Sequence, residues 1–551
     1  RGGDRHSNGI GGTIARAPRL LVLYVFLIGL TALGFSQVQS GFIPTQDKQY
    51  LFAALQLPEG ATLPRTEAAM RRMGEMALAT PGVADVVQFP GLNAVHFVNT
   101  SNVGVMFVGI TPQHEREISA PEIANMLNAK FSTIQDGLAF ALLPPPVLGL
   151  GNSAGVEAYV QDRGAAGYGE LDQQTQAMAG ALRAAPGFDP YSVYSSFQAN
   201  VPQLDASVDR IRAKEQGIAL TDIYAALQVY LGSAYVNDFN LFGRTYSVYA
   251  QADAPYRDDV ADIARIKVRN AAGGMVPIGS VVDVKPSYGP DPVIRYNGYP
   301  AADLQAGVNP ALMSSAQAIE ALRGMSTQML PQGMQVEWTG LTYQEVTQGS
   351  MGLLVFPICV LLVYLVLAAL YESWSLPLAV ILIVPMCMLS AIGGIWLLNF
   401  ISGSWFGLSI GMGWIQPPPM SVPPTFIDNN IFTQIGLVVL MGLACKNAIL
   451  IVEFARDLEE EGRGIVDAAI EACRLRLRPI LMTSFAFIAG VLPLVFANGA
   501  GAEVRHVMGV TVFAGMLGVT FFGLFFTPVF YVVIRKFATR HDATPTETTH
   551  A

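Results

Sequence analysis

A lysine stands inside an apolar run long enough to cross a bilayer. Ile431–Phe454 reads IFTQIGLVVLMGLACKNAILIVEF, and about 20 apolar residues at ~1.5 Å rise cover ~30 Å. Lys446 falls about 8 residues short of the end of that run, which puts its Cα roughly 12 Å inside. An ammonium at such a depth costs on the order of 2.5–3.5 kcal/mol. Its stem can snorkel part of the way; the other reading is a member of an ion or proton pathway, the default for an ionisable group in a membrane. Ala444 and Ala448, four apart, let a second helix approach the backbone around the charge and bring a carboxylate to it. That favours the pathway, with Asn447 as its polar neighbour.

Composition agrees with a membrane setting. Of the 551 residues 52% are hydrophobic and only 14% charged, against about 25% charged in soluble domains; mean hydropathy is +0.40. A net charge of −9 and the lack of a basic stripe with interleaved aromatics argue against a nucleic-acid partner. The four cysteines, Cys359, Cys387, Cys445 and Cys473, lie in apolar spans or the short loop after one, so no disulfides are expected in the long polar region. The chain starts with Arg1, which reads as a piece of something longer.

These residues need elements to hold them. Residues 1–19 are Gly- and Arg-rich, and 20–36 read as a first membrane helix; further spans are expected at 353–370, 376–400, 431–454, 479–497 and 507–534, six in all. Arginines before the first span, at Arg456, Arg463, Arg474, Arg476 and Arg478, and in the tail 535–551 share one side, which the positive-inside rule makes cytoplasmic. Gln37–Tyr343 then lies outside the membrane. Its first half alternates as strand, helix, two strands, helix, strand, the βαββαβ order of a ferredoxin-like unit. A second, similar half occupies 159–202 and 290–345, after a first subdomain over 37–158. The stretch 203–289 is an insertion with a hairpin at Ala234–Ala252, where Asn237, Asp238, Asn240 and Gly243 read as turn formers. The fold class is a helical membrane bundle with a large α+β region.

Several runs resemble the resistance-nodulation-division family of proton-driven efflux pumps, in its hydrophobe/amphiphile branch: ALYESWSLPLAVILIVP (Ala369–Pro385), GLACKNAILIVEFARDL (Gly442–Leu458), RLRLRPILMTSFAFIAGVLPLV (Arg474–Val495), QLPEGAT (Gln56–Thr62), YVNDF (Tyr235–Phe239) and YNGYP (Tyr296–Pro300). Pumps of this family have twelve membrane helices, and this chain resembles the carboxyl-terminal six with their periplasmic domain. The resemblance therefore implies half a pump, whose relay aspartates belong to a missing amino-terminal half. It implies that Lys446 is the relay lysine, with Thr483 and Arg476 on the same route. From the residues alone, the Thr483 hydroxyl can pass a proton or bond back to a helix carbonyl, and Arg476 reads equally as a positive-inside loop residue.

The resemblance also implies a drug pocket and an assembly. Phe89, Pro90, Gly91 and Leu92 would begin a flexible loop, Phe97 and Phe107 would line the pocket, and Phe52, Val87, Val156 and Val160 would form other walls; ordinary strand packing is the alternative for each. Tyr235, Asn237, Asp238 and Phe239 would belong to an arm reaching a neighbouring protomer of a homotrimer in the bacterial inner membrane. A periplasmic adaptor protein and an outer-membrane channel would complete the complex. Protons would be the coupling ion, with no cofactor and no metal; the cargo would be apolar or amphiphilic drugs. The rivals are a metal-ion or lipid exporter and a transport-dead assembly fragment. For metal, only His96 and His114 lie in the porter, without cysteine. The long stretch Ser402–Asn430, with Trp405, Trp414 and Pro417–Pro419, reads as a loop at the membrane interface.

Overall fold

The computed structural model describes residues 10–116, 118–151, 154–309, 312–348, 352–411 and 427–542. Apolar helices and a β-rich soluble region make up the chain. After the helix Ala17–Gln37 (α1), the soluble region opens with Tyr50–Gln56 (β1), Leu63–Leu78 (α2), Val83–Asn93 (β2), Val98–Ile110 (β3), Ala120–Phe131 (α3) and Leu138–Leu142 (β4). The four strands form an antiparallel sheet in the order β2-β3-β1-β4. Period-two alternation sends Leu51, Ala53 and Leu55 to one face, where they pack with Met106 and Val108 against Met70, Met73, Ile123 and Leu127 of the two helices. A capping box, Ser119 with Glu122, starts α3. Asn128 of α3 bonds both backbone groups of Ala141, which satisfies the otherwise open edge of β4.

The pattern recurs with Val156–Asp162 (β5), Tyr168–Ala184 (α4), Ile294–Tyr296 (β6), Tyr299–Ala306 (β7), Ser315–Met329 (α5) and Met334–Trp338 (β8), in the sheet order β6-β7-β5-β8. Both faces of β5 are largely buried, and here the sequence expectation fails. Val156 and Val160, expected as pocket walls, are 1% and 0% exposed. They share one strand face with the buried Ala158 and are interior packing residues.

Residues Gln198–Pro292 form a compact unit of their own. Val201–Val208 pairs with Val282–Gly289 around a core that includes Ile218, Ile223, Ile263 and Ile278. From this unit Ala234–Leu241 and Arg244–Ala250 extend as a two-stranded ribbon. Its turn is the pair Phe242–Gly243, with φ of 50° and 73°, the left-handed pair that a tight hairpin needs. Asn237, Asp238 and Asn240 lie in the strand, correcting their reading as turn formers; Gly243 alone of the four occupies the turn. Tyr235 and Phe239, like every other residue of the two strands except the half-buried Ala234, are exposed.

Among the described residues five helices are long and apolar enough to cross a membrane: Ala17–Gln37, Leu376–Ser402, Ile431–Glu460, Ile465–Val495 and Ala502–Ala538; the sixth expected span survives as the shorter apolar stretch Val355–Tyr371. With Gly340–Gln348 as α6 and Gly352–Tyr371 as α7, the later helices are Val384–Gly411 (α8), Ile431–Glu460 (α9), Ile465–Val495 (α10) and Ala502–Asp542 (α11). Small residues set the packing. A Cβ on Gly518 of α11 would lie 1.7 Å from the Ser390 hydroxyl of α8, so the two backbones approach as only glycine permits. Before α8 the helix Leu376–Ile381 ends in a turn at residues 382–383, Pro385 falls in the first turn of α8, and the carbonyl of Leu382 accepts from the Tyr24 hydroxyl of α1 at 2.7 Å.

Two expectations change. Arg474, Arg476 and Arg478 are not in a loop: α9 and α10 run on past the apolar spans, so the connection is only residues 461–464. The expected loop Ser402–Asn430 begins as the last turns of α8, while Trp414 and Pro417–Pro419, and the side chain of Trp405, lie outside the described residues.

A buried ion pair joins the soluble region to the bundle. The Arg116 guanidinium pairs with Asp47, their side chains 2% and 6% exposed, and donates to the carbonyls of Thr111 at 2.9 Å and Ile118 at 2.6 Å. The Asp47 N–H donates to the Glu503 carboxylate of α11 at 3.2 Å, and its carbonyl accepts from Gly501 at 3.1 Å. Beside it Gly499 N–H donates to Gln113 at 2.7 Å.

Candidate functional site

Helix α9 presents two sides. Leu437, Leu440, Ala444, Ala448 and Val452 recur at helical spacing and are buried against the other helices. Lys446 sits on the flank and is exposed there, about 22 Å along the helix from its start at ~1.5 Å per residue. It borders an open recess of about 250 Å³ whose lining includes Leu443, Asn447, Thr483, Ser484, Phe487 and Met516. Asn447 and Ser484 are buried, and the asparagine amide donates to the serine hydroxyl at 3.2 Å, tying α9 to α10. The Thr483 hydroxyl bonds back to the Ile480 carbonyl at 3.1 Å. Among the described residues Lys446 makes no ion pair. The recess therefore gathers one ammonium, one amide and two hydroxyls into an apolar bundle.

Of the residues expected on the relay, Lys446, Asn447 and Thr483 come together and Arg476 does not. Arg476 is seven residues from Thr483 on α10, about 10 Å along the axis. Its guanidinium stacks 4.5 Å from the centre of the Phe454 ring, and its Nε is buried without a hydrogen-bond partner. Ser484 is the residue that sequence reasoning missed. Its only signal was its place beside Thr483 in LMTS.

The second candidate is the sheet face turned away from α2 and α3. Cα pairing sets Val87 opposite Phe107, Phe107 opposite Phe52, and Phe52 opposite Leu142, one row across all four strands. Phe107 meets Phe52 edge-on at 5.8 Å and Phe89 edge-on at 6.0 Å, the geometry that aromatic quadrupoles favour. The row is half covered. Leu142 and Phe52 are buried, and Phe140 packs against Tyr194 with ring centres 4.6 Å apart and planes tilted by 41°, whereas Val87, Phe89 and Phe107 are exposed.

Phe89, Pro90, Gly91 and Leu92 were expected to start a loop; they continue β2. A register shift between Pro90 and Leu92 marks a bulge at Gly91, whose φ is +82°. The turn is residues 94–97, and Phe97 stands at its end with φ 53° and 79% exposure, away from the row. From this turn His96 reaches the second sheet, its Nε2 3.4 Å from Asp303. Asp303 also accepts from the Ser196 N–H and hydroxyl. Tyr159 beside it has its phenol pushed up to about 12 by burial, the Asp303 and Glu157 carboxylates adding to the effect.

The sequence model of the AcrB/AcrD/AcrF family matches residues 4–411 and 423–535. The chain is 37% identical over 545 residues to the toluene efflux pump membrane transporter TtgB of Pseudomonas putida, covering 96% of this chain and 48% of that protein. It is 34% identical over 538 residues to the multidrug export protein AcrF of Escherichia coli, covering 97% and 49%, and 33% identical over 528 residues to the multidrug resistance protein MdtF from another strain of E. coli, covering 95% and 48%. The expectation of a missing amino-terminal half is corrected to a narrower statement: family sequence runs through nearly the whole of this chain, and the chain spans about half the length of the curated relatives it matches. The family is one of transporters, not enzymes, and its members here are multi-pass proteins of the inner membrane. The chain belongs to the AcrB/AcrD/AcrF family, resistance-nodulation-division transporters of the hydrophobe/amphiphile efflux branch.

Proposed function

We propose that this protein takes part in proton-driven export of apolar and amphiphilic compounds. One observation carries the reading: Lys446 is exposed on the flank of a membrane helix, at a depth where lipid cannot solvate it, beside Asn447, Thr483 and Ser484. A charge in that position has to be matched by polar groups. A change in protonation there alters the cost of leaving the recess open, and so alters helix packing. Protons are the coupling ion in this reading, and no cofactor takes part.

The soluble region then lies in the periplasm as two ferredoxin-like subdomains above six spans, and the aromatic face of the first sheet contacts the cargo. Names of relatives such as "toluene efflux pump" and "multidrug export protein" support a cargo of this kind. The protein works as a homotrimer with a periplasmic adaptor and an outer-membrane channel, the ribbon with Tyr235, Asn237, Asp238 and Phe239 engaging the neighbouring protomer. A bare two-stranded ribbon is barely stable alone in water, which supports a covered position for it.

The test is Lys446→Ala in the full protein, expressed in an efflux-deficient host. Export of every cargo should fall to the level of the empty host while the protein is still inserted and assembled at parental amounts. Undiminished resistance in that variant would end the proton-coupling reading.

A further inference from the structure

Behind the aromatic face, β2 ends on an amide with an idle donor. Asn93 is 1% exposed. Its Oδ1 accepts from the backbone N–H groups of Val95 at 3.0 Å and His96 at 3.4 Å, and this fixes which way round the amide sits, because an amino group cannot accept. Nδ2 is left buried with no hydrogen-bond partner. A buried donor left unmade is destabilising and calls for a reason.

The surroundings supply one. Asn93 lines a cavity of about 20 Å³ together with Phe52, Leu92, Val105, Phe140 and Tyr194. That is room for a single water. Of the other polar side chains at its wall, the Tyr194 hydroxyl donates to Gln305 at 2.7 Å and the Ser196 hydroxyl to Asp303 at 2.9 Å, and Gln56 is half-buried. No basic side chain lines it, so a bound anion would find no countercharge. Phe52 belongs both to this cavity and to the aromatic row, where its ring meets that of the exposed Phe107.

We propose that Asn93 Nδ2 is the donor by which the aromatic face discriminates among apolar compounds. It takes a neutral acceptor oxygen, such as a ketone or ester carbonyl, on an aromatic body whose ring packs at Phe52 and Phe107. The ring lies on the face, and the carbonyl oxygen takes up the cavity's room for one small polar group. The proposal rests on the reading of this face as the cargo surface.

A matched pair of probes tests it: 2-acetylnaphthalene and 2-ethylnaphthalene, alike in shape and differing in one carbonyl oxygen. Binding of each to the full purified protein is measured for the parent and for Asn93→Asp, which keeps an oxygen for the Val95 and His96 N–H groups and loses the donor. The ketone should lose about tenfold in affinity relative to the hydrocarbon, the scale of one hydrogen bond, and the hydrocarbon should be unchanged. The carbonyl stretch of the bound ketone, lowered in the parent, should return to its unbonded frequency. Asn93→Ala, which has no side-chain donor, serves as the second variant if the aspartate form does not fold, with the same expected result. An unchanged ratio and an unchanged carbonyl frequency would overturn the proposal and leave Asn93 holding a structural water. If the ketone loses affinity while a Phe107→Ala variant binds both probes as the parent does, the donor stands and the wider cargo face falls. If neither probe binds the parent, both fall.

Discussion

The recess at Lys446 and the row at Phe107 are built from opposite chemistries, and each is conspicuous for the same reason. In the bundle, where the cheap residue is apolar, the site is a charge with an amide and hydroxyls. In the soluble region, where the cheap exposed residue is polar, the site is a row of rings left uncovered. Each candidate is the group least suited to its own solvent. They differ in what surrounds them. Asn447 and Ser484 bond one helix to the next, so a change in the recess moves packing for every cargo. Phe107 is held by edge contacts on one face of a sheet whose core lies on the other face, so a change there can be local.

That contrast can be broken at the joint that both share. Arg116→Ala leaves the Asp47 carboxylate buried and unpaired, which should cost about 3–5 kcal/mol. Thermal unfolding of the solubilised protein should show the loss, and both uniform and cargo-dependent export should fail together. Next comes Phe107→Ala, which removes three ring contacts, to Tyr50, Phe52 and Phe89, of about 0.5–1.5 kcal/mol each. Resistance should drop for some aromatic apolar compounds and hold for others, with unchanged protein levels. A uniform drop with depleted protein would mark Phe107 as packing, and the contrast would collapse. Smaller still, Asn447→Ala removes the bond to Ser484, a net effect of about 1 kcal/mol. It should lower dye efflux by a similar factor for every dye; a dye-specific pattern would move cargo recognition into the bundle.

The smallest effect concerns Glu345 of α6, outside the spans. Burial raises its carboxyl above the usual range, the Ser315 hydroxyl bond lowers it, and Asp428 raises it again. A carboxyl raised in the folded state holds its proton more tightly there, so its contribution improves as pH falls through the folded pKa and levels off below the unfolded one. Glu345→Gln should therefore melt slightly above the parent at neutral pH and converge with it in acid. Melting curves from roughly pH 5 to 8 check the sign, and a lower melting point for the variant at neutral pH would contradict it.

Lys446 was legible in the sequence because depth alone makes an ion costly. Ser484 was not, since a lone serine in an apolar helix looks the same whether it bonds across to Asn447 or back to its own helix. Pro90 and Gly91 carried the usual signals of a loop. The structure accommodates both because β2 is an edge strand, where a missing N–H is harmless, and because the bulge uses the positive φ of glycine. Val156 and Val160 misled because β5 is buried on both faces, which erases the alternation that separates wall from core. The run RLRLRP suggested a loop, yet Pro479 is accommodated inside α10.

The joint at Asp47, Arg116 and Glu503 also bears on protein engineering. Its pieces come from the segment after α1, the loop before α3 and the first turn of α11. The two regions are therefore not interchangeable parts that can be cut at the membrane surface and recombined. A chimaera that grafts this soluble region onto a foreign bundle inherits Arg116 and Gln113 but not the groups that Asp47 and Gln113 meet at Gly499, Gly501 and Glu503. To keep those contacts, the exchanged piece has to include the short connection between the last two helices and the first turn of α11, a segment almost 400 residues further along the chain from Gln113.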